Sequence, residues 1–131
     1  MTQLSADEAA YFENANFAAF ATIRPDGSPH VSPVWVEYDG ANVVCNTQEG
    51  RAKWKHLVRD PRVTLQVQNP ENPYNYIEVS GTATLTTEGG DEHIDKLAKK
   101  YMGVDSYPLR KPGDVRVIVT IAPDRVTYYA P

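Results

Sequence analysis

A single cysteine, Cys45, means that no disulfide can close within this 131-residue chain. Such a length buries roughly two-thirds of its unfolded surface in one domain, without staples, and a lone thiol suits a reducing cytoplasm. Cys45 lies in an apolar run, where a small buried hydrophobe is the plain reading. Long apolar runs are missing too: none approaches the ~20 residues of a bilayer-spanning helix. The opening Met1-Thr-Gln-Leu-Ser-Ala-Asp-Glu8 lacks the basic start and apolar core of a secretory signal. Positive charge is not in surplus. Lys and Arg number 13 against 17 acids, net −4, which argues against a general nucleic-acid binder. His30, His56 and His93 have no metal-ligand spacing, so no metal site is expected. No Ser-His-Asp or Cys-His relay can be read, and no repeat, low-complexity tract or linker divides the chain.

What is present is pattern. Ser5-Ala-Asp-Glu8 has capping-box spacing and predicts a short helix over 6–14. Residues 17–24 read as an alanine-rich strand, its small side chains suited to close packing against the interior or a neighbouring chain. Arg24-Pro-Asp-Gly27 is a turn signal leading into a strand over 29–38. Asp39-Gly40 is a hairpin signal before a strand over 41–47. Val63, Leu65 and Val67 alternate with Thr64, Gln66 and Gln68, a half-buried strand. A loop over 69–73 precedes a long strand over 74–86, bent at Gly81, where a bulge is tolerated.

A helix from residue 91 puts Ile94, Leu97, Ala98 and Tyr101 on one face, and Met102-Gly103 closes it. An irregular loop over 105–113 carries Tyr107, Arg110 and Lys111. The last apolar strand, over 115–121, resumes at 125–129 after a break at Pro123. Strands joined by hairpins pair antiparallel, and one small open sheet cannot cover so many apolar faces. The expectation is a mainly β, six-stranded antiparallel barrel with three short inserted helices.

The chemistry concentrates in Asn46-Thr-Gln-Glu-Gly-Arg-Ala-Lys-Trp-Lys-His-Leu-Val-Arg59. It reads as a strand end, a turn at Glu49-Gly50 and a short helix from near Arg51, stopped by Asp60-Pro61. Trp54, Leu57 and Val58 fall on an apolar side, with Lys53 at its margin. Arg51, Lys55 and Arg59 recur every fourth residue on another side. Free N–H groups and the positive dipole end at a helix start favour an anion, and Arg51 and Lys53 sit in that first turn. By spacing alone a solvated basic face is the simpler reading. Locality argues otherwise: the chain is acidic, yet this segment holds four Lys and Arg residues against one acid, Glu49.

Several segments, in order, resemble the flavin/deazaflavin split β-barrel family that includes pyridoxamine 5′-phosphate oxidase. They are Phe20-Ala-Thr-Ile-Arg-Pro-Asp-Gly-Ser-Pro-His-Val-Ser-Pro-Val-Trp-Val36, Asn46-Thr-Gln-Glu-Gly-Arg-Ala-Lys53 and Arg59-Asp-Pro-Arg-Val63. Pro73-Tyr-Asn-Tyr-Ile-Glu-Val-Ser-Gly81 and His93-Ile-Asp-Lys-Leu-Ala-Lys-Lys-Tyr101 resemble its coenzyme F420-dependent branch. The likeness runs from about residue 16 to 126.

The resemblance implies a split β-barrel homodimer with two cofactor sites at the interface. It implies that Arg51 and Lys53 hold the cofactor phosphate. Ser32, Pro33, Val34, Trp35, Asn46, Thr47 and Gln48 then wall the ring system, and the region of Tyr74–Tyr76 and that of Lys99–Arg110 reach in from the other subunit. The implied activity is hydride transfer between reduced coenzyme F420 and an activated C=C or quinone-like small molecule, with a Tyr hydroxyl or solvent returning the proton. No residue is singled out as catalytic acid.

Pyridoxamine phosphate oxidases carry a C-terminal Arg and His for the vitamin's phosphate. Val126-Thr-Tyr-Tyr-Ala-Pro131 has neither, which speaks against vitamin B6 oxidation. FMN is the alternative cofactor, and a non-catalytic deazaflavin carrier the alternative role. A haem-utilising relative would need an axial ligand that the histidines do not place. Lys55 and Arg59 suit an oligoglutamate tail or plain water. Trp35 suits ring stacking or strand packing, and Tyr74, Tyr76, Tyr128 and Tyr129 suit a dimer interface.

Overall fold

Ser5 starts the first helix by reciprocal capping. Its Oγ accepts from the Glu8 N–H at 3.2 Å, and the Glu8 carboxylate accepts from the Ser5 N–H at 2.8 Å. Helix α1 then runs Ala6–Glu13. The computed structural model describes residues 3–131. Met1 and Thr2, the start of the expected leaderless N-terminus, lie outside them.

Seven strands and two further helices follow: β1 (Ala18–Ile23), β2 (Pro29–Val34), β3 (Glu37–Tyr38), β4 (Val43–Gln48), α2 (Ala52–Arg59), β5 (Arg62–Asn69), β6 (Asn72–Thr86), α3 (Gly90–Met102) and β7 (Arg116–Tyr129). Six strands were expected. The strand predicted over 29–38 divides at Trp35 and Val36 into β2 and β3, because the chain there leaves one edge of the sheet for the other.

All pairings are antiparallel, in the order β2-β1-β5-β6-β7-β4-β3. The outermost strands, β2 and β3, are thus consecutive in the chain. Only Trp35 and Val36 separate them, and the three Cα steps from Val34 to Glu37 span at most about 10 Å. The sheet must therefore curl until its edges nearly meet, a half-barrel tied by a covalent crossing. Because β3 pairs only with Val43 and Val44, the stretch of β4 from Cys45 to Gln48 has strand β7 on one side alone. That uncovered edge faces the split.

The inward faces follow the alternation. Phe20, Leu65, Ile77, Val79 and Ile121 are at most 1 % exposed, each contributing roughly 1.5–3 kcal/mol. The break expected at Pro123 is instead a bulge in a continuous β7. Ser80 pairs with Arg125 and Gly81 with Pro123, so Asp124 is the extra residue. Gly81 permits this closeness, since a Cβ there would sit 2.1 Å from the Ala122 carbonyl oxygen. The loop expected over 69–73 shrinks: Asn69 pairs with Asn72, and Pro73, Tyr74 and Asn75 bulge out before Gln68 meets Tyr76.

Candidate functional site

Strand β4 hands over to α2 through a turn whose third residue is Gly50. The Gln48 carbonyl accepts from the Arg51 N–H at 3.2 Å, and Gly50 has φ +92°, the conformation that position of a type II turn requires. Arg51 is the helix N-cap. No side chain caps the helix and no acid occupies its first turn, so its leading N–H groups point outward without a local acceptor. The buried side of α2 departs from expectation. Leu57 is buried and Trp54 and the marginal Lys53 are half-buried as expected, but Val58 is 60 % exposed and His56 is half-buried in its stead. Lys53 therefore leans inward, where its Nζ donates to Ser32 Oγ at 3.1 Å. Burial depresses the Lys53 ammonium pKa, and the neighbouring Arg51 charge adds to this.

Opposite this turn, α3 lies against β7. Gly90 allows it: a Cβ at that position would stand 2.3 Å from the Arg116 carbonyl oxygen. Arg116, only 6 % exposed, donates from Nε to Asn46 Oδ1 at 2.9 Å, and its guanidinium carbon lies 5.2 Å from the centre of the Tyr107 ring. Burial lowers the Arg116 pKa first; the Tyr107 hydroxyl works against that shift, and Arg51 adds to it.

Between these walls opens a cleft of about 430 Å³. Its lining holds three cations, Arg51, Lys53 and Arg116, and four aromatics, Phe17, Trp35, Tyr101 and Tyr107, and no carboxylate. Among the described residues none of the three cations has an ion-pair partner. Thr47, 4 % exposed, also lines the cleft, and its hydroxyl has no protein partner. Trp35 stacks on Tyr101, centroids 5.2 Å apart and planes 10° from parallel, and meets Tyr107 edge-on at 6.1 Å. The Tyr101 hydroxyl is committed elsewhere: it donates to the Asn16 carbonyl at 2.5 Å and accepts from the Val36 N–H at 3.0 Å. Burial raises its pKa.

Three cations without ion-pair partners, an uncapped helix start and an orphan hydroxyl in one cleft make a cradle suited to an anion. Beside it stands an aromatic wall suited to a flat ring. A phosphate-bearing flavin or deazaflavin fits this donor set.

Of the residues expected at the site, Pro33, Val34, Trp35, Asn46, Thr47, Arg51 and Lys53 line the cleft together. Ser32 stands behind Lys53, touching its ammonium. Gln48 lies beneath, its amide donating to Asp114 Oδ1 at 2.8 Å. Tyr76 is not brought there within one chain; it sits on β6 opposite Gln68, its ring 5.9 Å from Tyr129. Arg116 was missed. Its signal was one cation interrupting an otherwise apolar strand. Tyr101 and Tyr107 belong to the Lys99–Arg110 region expected to reach in from the other subunit; instead they line the cleft of their own chain.

Known structures share the architecture. An F420 reductase aligns over 95 % of this chain and 98 % of its own, at TM-score 0.82 and 28 % identity. A conserved hypothetical protein from Mycobacterium tuberculosis gives TM-score 0.76 at 22 % identity, covering 98 % of this chain and 86 % of its own. General stress protein 26 from Bacillus anthracis gives 0.71 at 20 % identity, covering 95 % and 92 %. Comparison with curated protein sequences returned no match. The protein-family model described as pyridoxamine 5′-phosphate oxidase matches residues 5–130. With its sheet curled until Trp35 and Val36 bridge the two edges, the chain belongs to the pyridoxamine 5′-phosphate oxidase family of split barrels.

Proposed function

We propose that this protein is a coenzyme F420-dependent oxidoreductase, acting as a cytoplasmic homodimer on an activated C=C or quinone-like small molecule. The observation that carries the reading is the cradle: Arg51, Lys53 and Arg116 without carboxylate partners, around the orphan Thr47 hydroxyl. Arg51, Lys53, Thr47 and Arg116 would hold the phosphate, and Pro33, Val34 and Trp35 would flank the ring. When bound, the deazaflavin supplies the hydride. The chain's own part is to bind and orient, to exclude water with Trp35, Tyr101 and Tyr107, and to offset developing negative charge with the cations. Tyr101 is poorly placed to return a proton, since its hydroxyl hydrogen is held by the Asn16 carbonyl. The 28 % identity to an F420 reductase supports the choice of cofactor.

The outer face of β1 and β2 supports the dimer. Phe17 is 63 % and Val31 59 % exposed beside the small Ala19, and Phe17 and Pro33 line both this face and the cleft. A second copy seated there would complete the cleft wall, bringing Tyr76 of a neighbouring subunit as a candidate contact.

Fluorescence titration of the purified protein with coenzyme F420 and with FMN tests the reading. The expected result is saturable binding with preference for the deazaflavin, and turnover of its reduced form with a quinone or enone panel. Preference for FMN transfers the reading to the family's flavin, which the phosphate cradle serves equally. Binding without turnover on any acceptor makes the protein a deazaflavin carrier.

A further inference from the structure

From the cleft wall, five side chains join in a line of which the redox reading uses only Arg116. Arg116 Nε donates to Asn46 Oδ1 at 2.9 Å. Asn46 Nδ2 lies 3.1 Å from the Gly90 carbonyl and 3.0 Å from His93 Nδ1. His93 Nε2 lies 2.9 Å from Glu37 Oε1, and Glu37 Oε2 meets Lys96 at 3.1 Å. His93 is 8 % exposed, whereas the Lys96 side chain is 72 % exposed. The line thus runs from the surface of α3, through Glu37 on β3, His93 on α3 and Asn46 on β4, to the buried guanidinium on β7.

The direction of every bond in this line is forced from both ends. A guanidinium can only donate, so Asn46 must turn its Oδ1 toward Arg116 and its amide nitrogen toward Gly90 and His93. His93 Nδ1 then has to accept. At the far end Glu37 is ion-paired through Oε2 with Lys96 at 3.1 Å, which keeps it a carboxylate that can only accept. His93 Nε2 then has to donate. Neutral imidazole with its proton on Nε2 satisfies both conditions.

We propose that Asn46, His93 and Glu37 are positioning residues that aim Arg116 into the cleft with no carboxylate in ion-pair contact, making it the third cation for the ligand's anionic group. The logic lies in the choice of amide over carboxylate. Asn46 holds the guanidinium in place as a neutral acceptor. The carboxylate of the line, Glu37, is kept two groups further back and is paired with Lys96 instead. A carboxylate in contact with Arg116 would anchor it equally well and cancel the charge the ligand needs. The inference rests on the cofactor reading for the ligand's identity, but not for the geometry.

Two measurements on the intact protein decide it. The first needs no variant: long-range 1H–15N spectra of the ligand-free protein, with His93 assigned through His93→Gln. The expected pattern is the neutral Nε2–H tautomer of His93 and an Arg116 Nε–H protected from exchange. An Nδ1–H tautomer overturns the relay.

The second is calorimetric titration with inorganic pyrophosphate of wild type, Asn46→Asp and Glu37→Gln. Asn46→Asp preserves shape but sets a carboxylate on Arg116, so pyrophosphate affinity is expected to fall by about tenfold or more. Glu37→Gln removes the charge but keeps an acceptor for Nε2, so as the conservative variant it is expected to retain binding within about threefold of wild type. A loss of about tenfold overturns the view that Glu37 acts only as the acceptor that orients His93. Unchanged affinity in Asn46→Asp, or no pyrophosphate binding by wild type, overturns the proposal. Asn46-dependent pyrophosphate binding without binding of either F420 or FMN upholds the relay and refutes the cofactor reading. Cofactor binding indifferent to Asn46→Asp does the reverse.

Discussion

Replacing Thr47 by valine should make the protein more stable and a poorer binder at once. The exchange keeps the side chain's shape and removes only a hydroxyl that is buried, its residue 4 % exposed, and has no protein partner. Burying a hydroxyl without a partner costs about 1–3 kcal/mol, so its removal should raise Tm by roughly 3–10 °C in a chain of this size. In the cleft the same oxygen stands with Arg51, Lys53 and Arg116. A ligand oxygen bonded to it would be lost on substitution, weakening affinity about 5- to 150-fold for the same 1–3 kcal/mol. Thr22→Val is the control. Thr22 is equally buried, but its hydroxyl bonds His56 Nδ1 at 2.8 Å, so that substitution should lower Tm by leaving the imidazole nitrogen bare. Thermal unfolding and cofactor titration of the two variants provide the readout. A fall in Tm for Thr47→Val, or unaltered affinity, would refute the assignment of this hydroxyl to a ligand.

Lys53→Ala should weaken cofactor affinity more than tenfold, a charge-assisted phosphate contact being worth roughly 1.5–3 kcal/mol; equilibrium titration checks it. Gly90→Ala should lower Tm and weaken binding together, because the new Cβ must push α3 away from the Arg116 carbonyl it would otherwise meet at 2.3 Å. Acid unfolding should carry the mark of Glu37. Its carboxyl is drawn from an ordinary 4.5 down to about 2 in the folded chain, chiefly by His93. Within that window the unfolded state binds the extra proton, so the stabilisation is complete above about pH 4.5 and drains away as pH falls toward 2. Wild type and Glu37→Gln should accordingly differ most in stability near neutral pH and converge near pH 2, as measured by urea titrations across the range.

Most elements were legible because their signals are local. Ser5 and Glu8 lie one helical turn apart, and the capping box they predict is present. Val63, Leu65 and Val67 alternate as a strand with one buried face must, and all three are buried. Misreadings occur where a local signal meets a distant constraint. The residues over 29–38 carry strand character throughout, yet the sheet's closure breaks them at Trp35 and Val36. Pro123 looked like a terminator, but Asp124 bulges out and β7 continues, because the partner strand supplies Gly81 at the point of closest approach. Val58 matched an apolar helical stripe, yet α2 turns Lys53 and His56 toward the sheet instead, where Ser32 and Thr22 wait as hydrogen-bond partners.

The amino-acid order by itself determined the antiparallel β class, the turn at Glu49-Gly50 and the cationic helix start at Arg51 and Lys53. Periodicity, turn chemistry and capping act over a few residues and can be read there. Only the tertiary structure decided that Arg116, 65 residues beyond Arg51 in the chain, would share their cleft. It also decided that Asn46 would hold that guanidinium without neutralising it and that Tyr101 would spend its hydroxyl on the backbone. The physical reason is that curling a sheet of seven strands juxtaposes its two edges, and no local preference encodes which side chains then come face to face.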